Sequence, residues 1–237
     1  MKEYSDPAAL KSAARVHLFG NYGVTVRAYI WMNAILLILS WLFASMNIKG
    51  AGSLISVYIF YIVRILLAGV FMSGMAYIFL NIASSRPVYP GMIFYGFRQS
   101  TDRAVLVCIV ISLGETIGCI PLIIFLKRYL ADRNSVYIIP LVLSVLIAIA
   151  GYLVVHAYFM PAYYVIHDFP DYSFVEVIKL CPRIMQGSIL RAIYLNLSFI
   201  PMMLLSIISL GAGAPWTESY RYASFCEMYL DIMKKGK

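Results

Sequence analysis

Charged residues are scarce in this sequence. Only 13% of its 237 residues are Asp, Glu, Lys or Arg, whereas 62% are hydrophobic. A soluble domain carries about 25% charged residues, which it needs to solvate its surface. A composition this apolar cannot form a water-exposed surface, so a soluble fold is excluded. A helix that crosses a bilayer needs roughly 20 apolar residues, and the chain contains several such runs.

Catalytic signatures are also missing. The sequence has no P-loop, no Gly-x-Ser-x-Gly, no His-Glu-x-x-His and no Gly-x-Gly-x-x-Gly. No segment is polar and long enough for a soluble catalytic domain. These absences favour a non-enzymatic membrane component, such as an accessory, assembly or lipid- or small-solute-handling protein, with no cofactor and no metal. The alternative is a transporter or an intramembrane enzyme that uses polar residues buried in the bundle.

Cysteine is scarce and unpaired in sequence. The four cysteines are Cys108, Cys119, Cys181 and Cys226, and no two form a Cys-x-x-Cys motif. This spacing excludes a zinc site of the usual kind and a disulfide framework. Three of the four lie in apolar or amphipathic helical sequence, where we expect them to be small buried hydrophobic side chains.

The long apolar runs predict an all-α fold, a polytopic transmembrane helical bundle with about six membrane-embedded helices. A single integral membrane domain is expected over 1–237. Residues 24–167 contain the first four spans, and 188–237 contain the last two membrane helices and a basic tail. The spans are predicted near 25–46, 54–82, 104–126, 136–166, 189–210 and 216–233. The last segment is the least apolar, which leaves open whether it crosses fully.

Two further segments, 1–23 and 168–187, are predicted to form interfacial amphipathic helices. In the first, Asp6-Pro7 provides an N-cap and a first-turn proline, and Gly20 ends the helix. In the second, Ser173-x-x-Glu176 forms a capping box ahead of an apolar run. We expect both helices to lie along the membrane surface with their apolar sides toward lipid or the bundle.

A weak repeat links these segments. An amphipathic helix, a glycine and a span with an early arginine occur at Leu10–Gly20–Arg27 and again at Ile178–Gly187–Arg191. The stretch 94–103, followed by the third span, is a looser third copy. Three helix-plus-span units are therefore a reasonable architecture.

The net charge of +8 has a membrane explanation. With the N-terminus inside and six spans, thirteen Lys and Arg residues fall in inside segments and five in outside segments. Because basic residues favour the cytoplasmic side, both termini are expected to be cytoplasmic, in a multi-pass protein of the bacterial plasma membrane. Anionic lipid headgroups also attract such residues. The expected partners are membrane lipids and other membrane proteins; no nucleic-acid partner is expected, because no basic run with interleaved aromatics is present.

Three ionisable residues, Arg64, Glu115 and His156, lie deep in apolar sequence and form the candidate buried polar site. Charges at bilayer depth are costly and usually face a partner or a water-filled cavity. An Arg64–Glu115 pair would relieve both charges and could form a polar pathway or headgroup site. It could also be a purely structural ion pair, or Arg64 could snorkel to the interface. Gly114-x-x-x-Gly118 around Glu115 predicts a close helix contact there.

The C-terminal third carries a recognisable pattern. Its elements are Asp168-x-Pro170-Asp171, Met185-x-Gly187, Leu195-x-Leu197-Ser198-Phe199-Ile200, Gly211-x-Gly213, Trp216, Tyr220 and the ending Phe225 to Asp231, together with Leu18-x-Gly20-Asn21-Tyr22 near the N-terminus. With these residues the chain resembles an uncharacterised bacterial membrane family, domain of unknown function 975. The resemblance implies a multi-pass membrane protein and brings no catalytic residues.

Overall fold

The computed structural model describes residues 5–46 and 54–235, and these ranges are helical with no β-strand among them. The predicted turn over 47–53 and the last two residues of the basic tail lie outside the described residues. The helices in chain order are α1 (Pro7–Leu18), α2 (Tyr22–Met46), α3 (Leu54–Ala83), α4 (Gly96–Gln99), α5 (Thr101–Asp132), α6 (Ile138–Phe159), α7 (Ala162–Asp168), α8 (Phe174–Met185), α9 (Ile189–Leu197), α10 (Ile200–Ile208) and α11 (Ala214–Lys235). A 3-10 helix over Pro90–Tyr95 precedes α4.

Within the described ranges, five helical segments are long and apolar enough to cross a membrane: Tyr22–Ser45, Ser56–Ala83, Thr101–Asp132, Ser135–Asp168 and Ile189–Ile208. The predicted all-α helical bundle is confirmed. The predicted count of about six included α11, which is 22 residues long but does not reach the hydropathy of the other five.

Helix α11 is polar because protein surrounds it. Helices α1, α2, α3, α8, α9 and α10 all contact it. Met228 and Tyr229 are completely buried, and the hydroxyls of Ser219 and Ser224 donate to carbonyl oxygens one turn earlier, at 2.7 and 2.9 Å. A helix enclosed by other helices does not have to present an apolar surface to lipid, so its low hydropathy is compatible with a central position.

Two predicted spans are broken helices. The fourth span is divided between α6 and α7, and the fifth between α9 and α10. Pro161 stands at the first break, and Pro201 is in the first turn of α10. Proline cannot donate to the carbonyl four residues earlier and its ring clashes with that carbonyl, which accounts for both interruptions.

The predicted repeat is visible in the turns that follow the two amphipathic helices. Phe19 has φ −60° and ψ 123°, and Gln186 has φ −58° and ψ 122°. The glycines that follow, Gly20 and Gly187, have φ of +85° and +81°. Both are type II turns, which need a left-handed residue at the third position and therefore favour glycine there.

The same packing positions recur in these units. Helices α1 and α8 are each 12 residues long, and their buried residues occupy the fourth, eighth and twelfth positions: Leu10, Ala14 and Leu18 in α1, and Val177, Cys181 and Met185 in α8. These apolar faces are directed into the bundle rather than away from it, because α1 packs on α11 and α8 packs on α6 and α7. The sequence left open whether these apolar faces contact lipid or the bundle, and in the structure they contact the bundle.

The looser third copy shares with the other two the hydrogen bond and the buried positions at the start of its first span. The first span of each copy starts at one polar residue, which is Asn21, Ser100 or Ser188. The carbonyl oxygen of this residue accepts a hydrogen bond from the N–H four residues later, at 3.2, 2.9 and 3.0 Å respectively. The residues four and seven positions after them are buried in all three copies: Thr25 and Ala28, Ala104 and Val107, Ala192 and Leu195. The three copies therefore cover about 7–83, 90–168 and 174–235.

The three units close into a ring. Each short helix packs on the second span of the preceding unit: the 3-10 helix and α4 on α3, α8 on α6 and α7, and α1 on α11. Helix α1 thereby joins the first unit to the last. The short helices gather at one end of the bundle, here termed the packed end; the opposite end, which carries the connection between α5 and α6, is termed the hairpin end.

Two arginines at equivalent positions of the second and third units form hydrogen bonds between units at the packed end. Arg103 and Arg191 stand three residues after Ser100 and Ser188. Arg103 Nη1 donates to the carbonyl oxygens of Pro170 at 2.8 Å and Tyr172 at 3.1 Å, in the segment that leads into α8. Arg191 Nη2 donates to the Ser5 carbonyl oxygen at 2.5 Å and to Asp231 Oδ2 at 3.0 Å. Each guanidinium thus holds the segment that enters the next short helix.

Candidate functional site

The ring encloses a cavity of about 90 Å³. All three units contribute to its wall, through α3, α5, α6, α7, α9 and α11. The lining is mostly apolar and includes Met72, Met75, Phe79, Ile111, Ala157 and Phe225. A dry apolar cavity of about 150 Å³ is known to bind benzene, so this smaller space suits a few heavy atoms or the end of a hydrocarbon chain.

Polar groups reach the same cavity from three helices. His156 lies on α6, Asn196 on α9 and Arg221 on α11. Among the described residues, nothing hydrogen-bonds to the Asn196 side-chain amide, so its donor and acceptor are both free for a guest. Apolar walls with a few convergent polar groups are the usual composition of a small-molecule site.

Glu115 and His156 meet at the edge of this cavity. His156 Nε2 lies 2.6 Å from Glu115 Oε1, and the two side chains are 36% and 34% exposed. This half-exposed pair marks the open side of the cavity. The predicted glycine contact positions it: Gly118 of α5 approaches Gly151 of α6, and an added Cβ at Gly118 would lie 3.7 Å from the Gly151 Cα.

The predicted Arg64–Glu115 pair is wrong. Glu115 pairs with His156, and Arg64 is exposed and forms no ion pair with Glu115. The reason is helical rotation on α3. Gly69 faces α5, because its Cβ position lies against Cys108. Arg64 is five residues from Gly69 on the same helix. With 3.6 residues per turn, this separation rotates Arg64 about 140° away from the face that contacts α5. Of the three candidate residues, the structure therefore brings two together.

A second charged pair was not singled out from the sequence. Arg221 donates from Nε and Nη2 to Glu218 Oε2, at 3.0 and 2.7 Å. Its guanidinium also lies over the rings of Tyr222 and Phe225, at 5.1 and 5.8 Å. The available signal was the i,i+3 spacing of opposite charges on an otherwise weakly polar helix face. That spacing is common on exposed helices, so it does not by itself indicate a cavity wall.

Buried polar groups also link the inner helices on the packed side of the cavity. His167 Nε2 lies 3.0 Å from Ser73 Oγ and 2.8 Å from the Ser73 carbonyl oxygen. The Tyr164 hydroxyl donates to the Tyr222 carbonyl oxygen at 3.1 Å. Since Ser73 is 0% exposed and Tyr164 is 4% exposed, the hydrogen bonds of these groups serve to connect the helices.

Cysteines and metal-binding groups add no further site among the described residues. Cys181 and Cys226 are buried, as predicted, while Cys108 and Cys119 are half-buried. Burial raises the pKa of the Cys181 thiol to about 12. No group of three His, Cys, Asp or Glu side chains in the described part of the chain is arranged to hold a metal ion.

Comparison with known proteins gives a family but no relative of known activity. No curated protein and no solved structure matches the chain. One family model matches residues 10–236, and its description is "Protein of unknown function (DUF975)". The match covers nearly the whole chain, including all three units of the ring. The chain therefore belongs to the DUF975 family.

Proposed function

We propose that this protein is a non-enzymatic, multi-pass integral membrane component that binds the hydrocarbon end of an amphiphile in the cavity of its helical ring. The cavity itself carries the proposal, because it has a volume of about 90 Å³ and mostly apolar walls. Arg221 is paired with Glu218, and Glu115 is hydrogen-bonded to His156 at the open side of the cavity. A neutral, largely apolar guest would need no further charge compensation there.

The amphiphile class follows from the size and the position of the cavity. Lipid surrounds the bundle, and the half-exposed His156 marks the open side. An acyl chain could enter from the bilayer and leave its polar end outside.

Photocrosslinking in proteoliposomes tests this function. The probe is a phospholipid with a diazirine at the end of one acyl chain. The variant Ala157→Leu fills the cavity, because Ala157 lines it and is 4% exposed. The matched control is Ala150→Leu, at an exposed position two turns earlier on the same helix. We expect crosslinks on the cavity walls that Ala157→Leu reduces several-fold and Ala150→Leu does not. Equal crosslinking in both variants would contradict the proposal.

The membrane placement that accompanies this function is the bacterial plasma membrane with both termini in the cytoplasm. The excess of basic residues in the segments assigned to that side supports it. A reporter fused after Lys237 tests the orientation: cytoplasmic activity of the reporter agrees with it, and external accessibility contradicts it.

A further inference from the structure

The third unit forms a hairpin from α9, α10 and α11, here termed the third hairpin. At the hairpin end of the bundle it does not extend as far as α3 of the first unit or as α5 and α6 of the second. The cavity gives a reference level for comparing the helices, because Met72, Ile111, His156, Asn196 and Arg221 all line it; its wall spans about 10 Å along α3, from Met72 to Phe79. Beyond this level α5 continues for 21 residues to Asp132, whereas α11 extends for only seven residues back to Ala214. At 1.5 Å per residue these lengths are about 32 Å and about 10 Å.

The other helices give the same contrast. Helices α3 and α6 each extend 18 residues beyond the cavity level, to Leu54 and Ile138, or about 27 Å. Helix α10 ends at Ile208, 12 residues after Asn196, so it reaches at most about 18 Å. Helices α10 and α11 thus end well below the start of α3 at Leu54 and below the α5–α6 connection.

The charges on α5 locate the hydrocarbon relative to the turn between α10 and α11. Arg103 and Lys127 are 24 residues apart with Glu115 as the only charged residue between them, which corresponds to about 36 Å of helix. A hydrocarbon core of about 30 Å fits between them. Since Ile111 is about 24 Å from the level of Lys127, the ends of α10 and α11 lie roughly 6 to 14 Å short of that level, and only the five turn residues 209–213 extend beyond them.

The composition of the turn agrees with this depth. Residues 209–215 include no charged side chain, whereas the end of α5 carries Lys127, Arg128, Asp132 and Arg133. Apolar side chains project from the turn: Leu210 is 98% exposed and Ile208 is 77% exposed. In water this exposure would be unfavourable by about 25 cal/mol per Å² of apolar surface, whereas in lipid it costs nothing.

The N–H groups of the turn are hydrogen-bonded within the hairpin, as hydrocarbon surroundings require of them. The N–H groups of residues 209 to 214 all donate within the hairpin, to acceptors on Leu205, Ile207, Ser206, Ser209, Ser209 and Gly211 in that order. An unsatisfied N–H in hydrocarbon would cost several kcal/mol. The Ser206 and Thr217 hydroxyls also bond to each other, 2.9 Å apart, and join the two arms below the turn.

From these observations we propose that the third hairpin is re-entrant. It enters from the packed end, turns at 209–215 inside the leaflet at the hairpin end, and returns without reaching water. The acyl chains of that leaflet cover Leu210 and fill the space above the turn, between the two longer hairpins. This inference is independent of any guest in the cavity.

Cysteine accessibility tests the depth of the turn. Ala212→Cys and Asn134→Cys are introduced singly into a variant in which Cys108, Cys119, Cys181 and Cys226 are replaced. Both sites are exposed in the structure, so protein burial does not distinguish them. A membrane-impermeant maleimide is applied to intact and to permeabilised proteoliposomes. We expect Ala212→Cys to react at least about tenfold more slowly than Asn134→Cys in both, since a thiolate does not form in hydrocarbon. Similar labelling rates would overturn the proposal.

A second measurement avoids the cysteine replacements. In the variant Trp31→Phe, Trp41→Phe, Trp216 is the remaining tryptophan. Its fluorescence is recorded in vesicles of phospholipids brominated at a shallow or a deep acyl position. A re-entrant turn predicts strong quenching by brominated chains and little by aqueous acrylamide. Strong acrylamide quenching with weak bromine quenching would place the turn in water and overturn the inference.

Discussion

Removing the Asp231 carboxylate should open the ring where its first and last units meet. Asp231 accepts hydrogen bonds from Arg191 Nη2 at 3.0 Å, from the Ser5 N–H at 3.1 Å and from the Ser5 hydroxyl at 2.7 Å. The Asp231 and Arg191 side chains are 9% and 19% exposed. Hydrogen bonds to charged groups contribute about 1.5 to 3 kcal/mol, and removing one partner of a fully buried ion pair costs about 3 to 5 kcal/mol. Because this pair is not completely buried, we expect Asp231→Ala to lower the free energy of unfolding by about 3 kcal/mol.

The assay is equilibrium unfolding in mixed micelles, combined with a double-mutant cycle. Arg191→Met removes the cation and retains much of the side-chain volume. The double variant should lose about 1 to 2 kcal/mol less than the sum of the two single variants, because neither charge is then left without its partner. Additive losses, or a loss of less than about 0.5 kcal/mol for Asp231→Ala, would refute the reasoning.

Three further predictions concern other parts of the molecule. In a thermal-shift assay, Gly74→Ala should prevent folding or cost more stability than the usual roughly 1 to 3 kcal/mol for overpacking, because the added Cβ would lie 1.9 Å from the Ile93 carbonyl oxygen. The control Gly151→Ala should be close to neutral in this assay, because its Cβ would lie 3.5 Å from the nearest atom. Glu115→Gln and His156→Gln should be coupled by about 1 kcal/mol, the usual size for a hydrogen bond between membrane helices, and additive losses would contradict the pairing. Cys181 should resist alkylation in the folded protein from pH 7 to 9, since a thiol with a pKa of about 12 remains protonated throughout that range; mass spectrometry checks this, and rapid alkylation would contradict it.

Hydropathy and local capping rules predicted most of the fold. Long apolar runs identify membrane helices because lipid requires them, and the Ser173–Glu176 capping box appears as expected, with Glu176 Oε2 accepting from the Ser173 N–H at 2.7 Å. The pKa of the Glu176 carboxyl is lowered by the Ser173 N–H and hydroxyl. The break at Pro201 was not predicted, because proline is often tolerated in membrane helices and only the neighbouring helices decide whether it breaks one.

The candidate site was predicted only in part. Glu115 and His156 were identified because charges are rare in apolar sequence, but their pairing depends on the rotation of α5 against α6, which hydropathy does not encode. Arg64 was paired with Glu115 on charge, but its exposed position fits the alternative that it extends to the interface. Asn196 and Arg221 carry no distinguishing sequence signal, since an amide and a cation on a helix are usually exposed. Their position in the cavity results from ring closure, which joins residues far apart in the chain.

Ring closure has a consequence for biosynthesis. Ser5 and Asp231 are 226 residues apart in sequence, and a ribosome adding about 5 to 20 residues per second needs roughly 10 to 45 s to make that stretch. During this interval helix α1 is already synthesised while α11, against which its apolar face packs, does not yet exist. The nascent N-terminal helix must therefore rest on lipid, or on an insertion factor, until the last hairpin arrives. Slowing translation of the C-terminal segment would prolong the stage at which the newborn chain is most exposed to proteolysis.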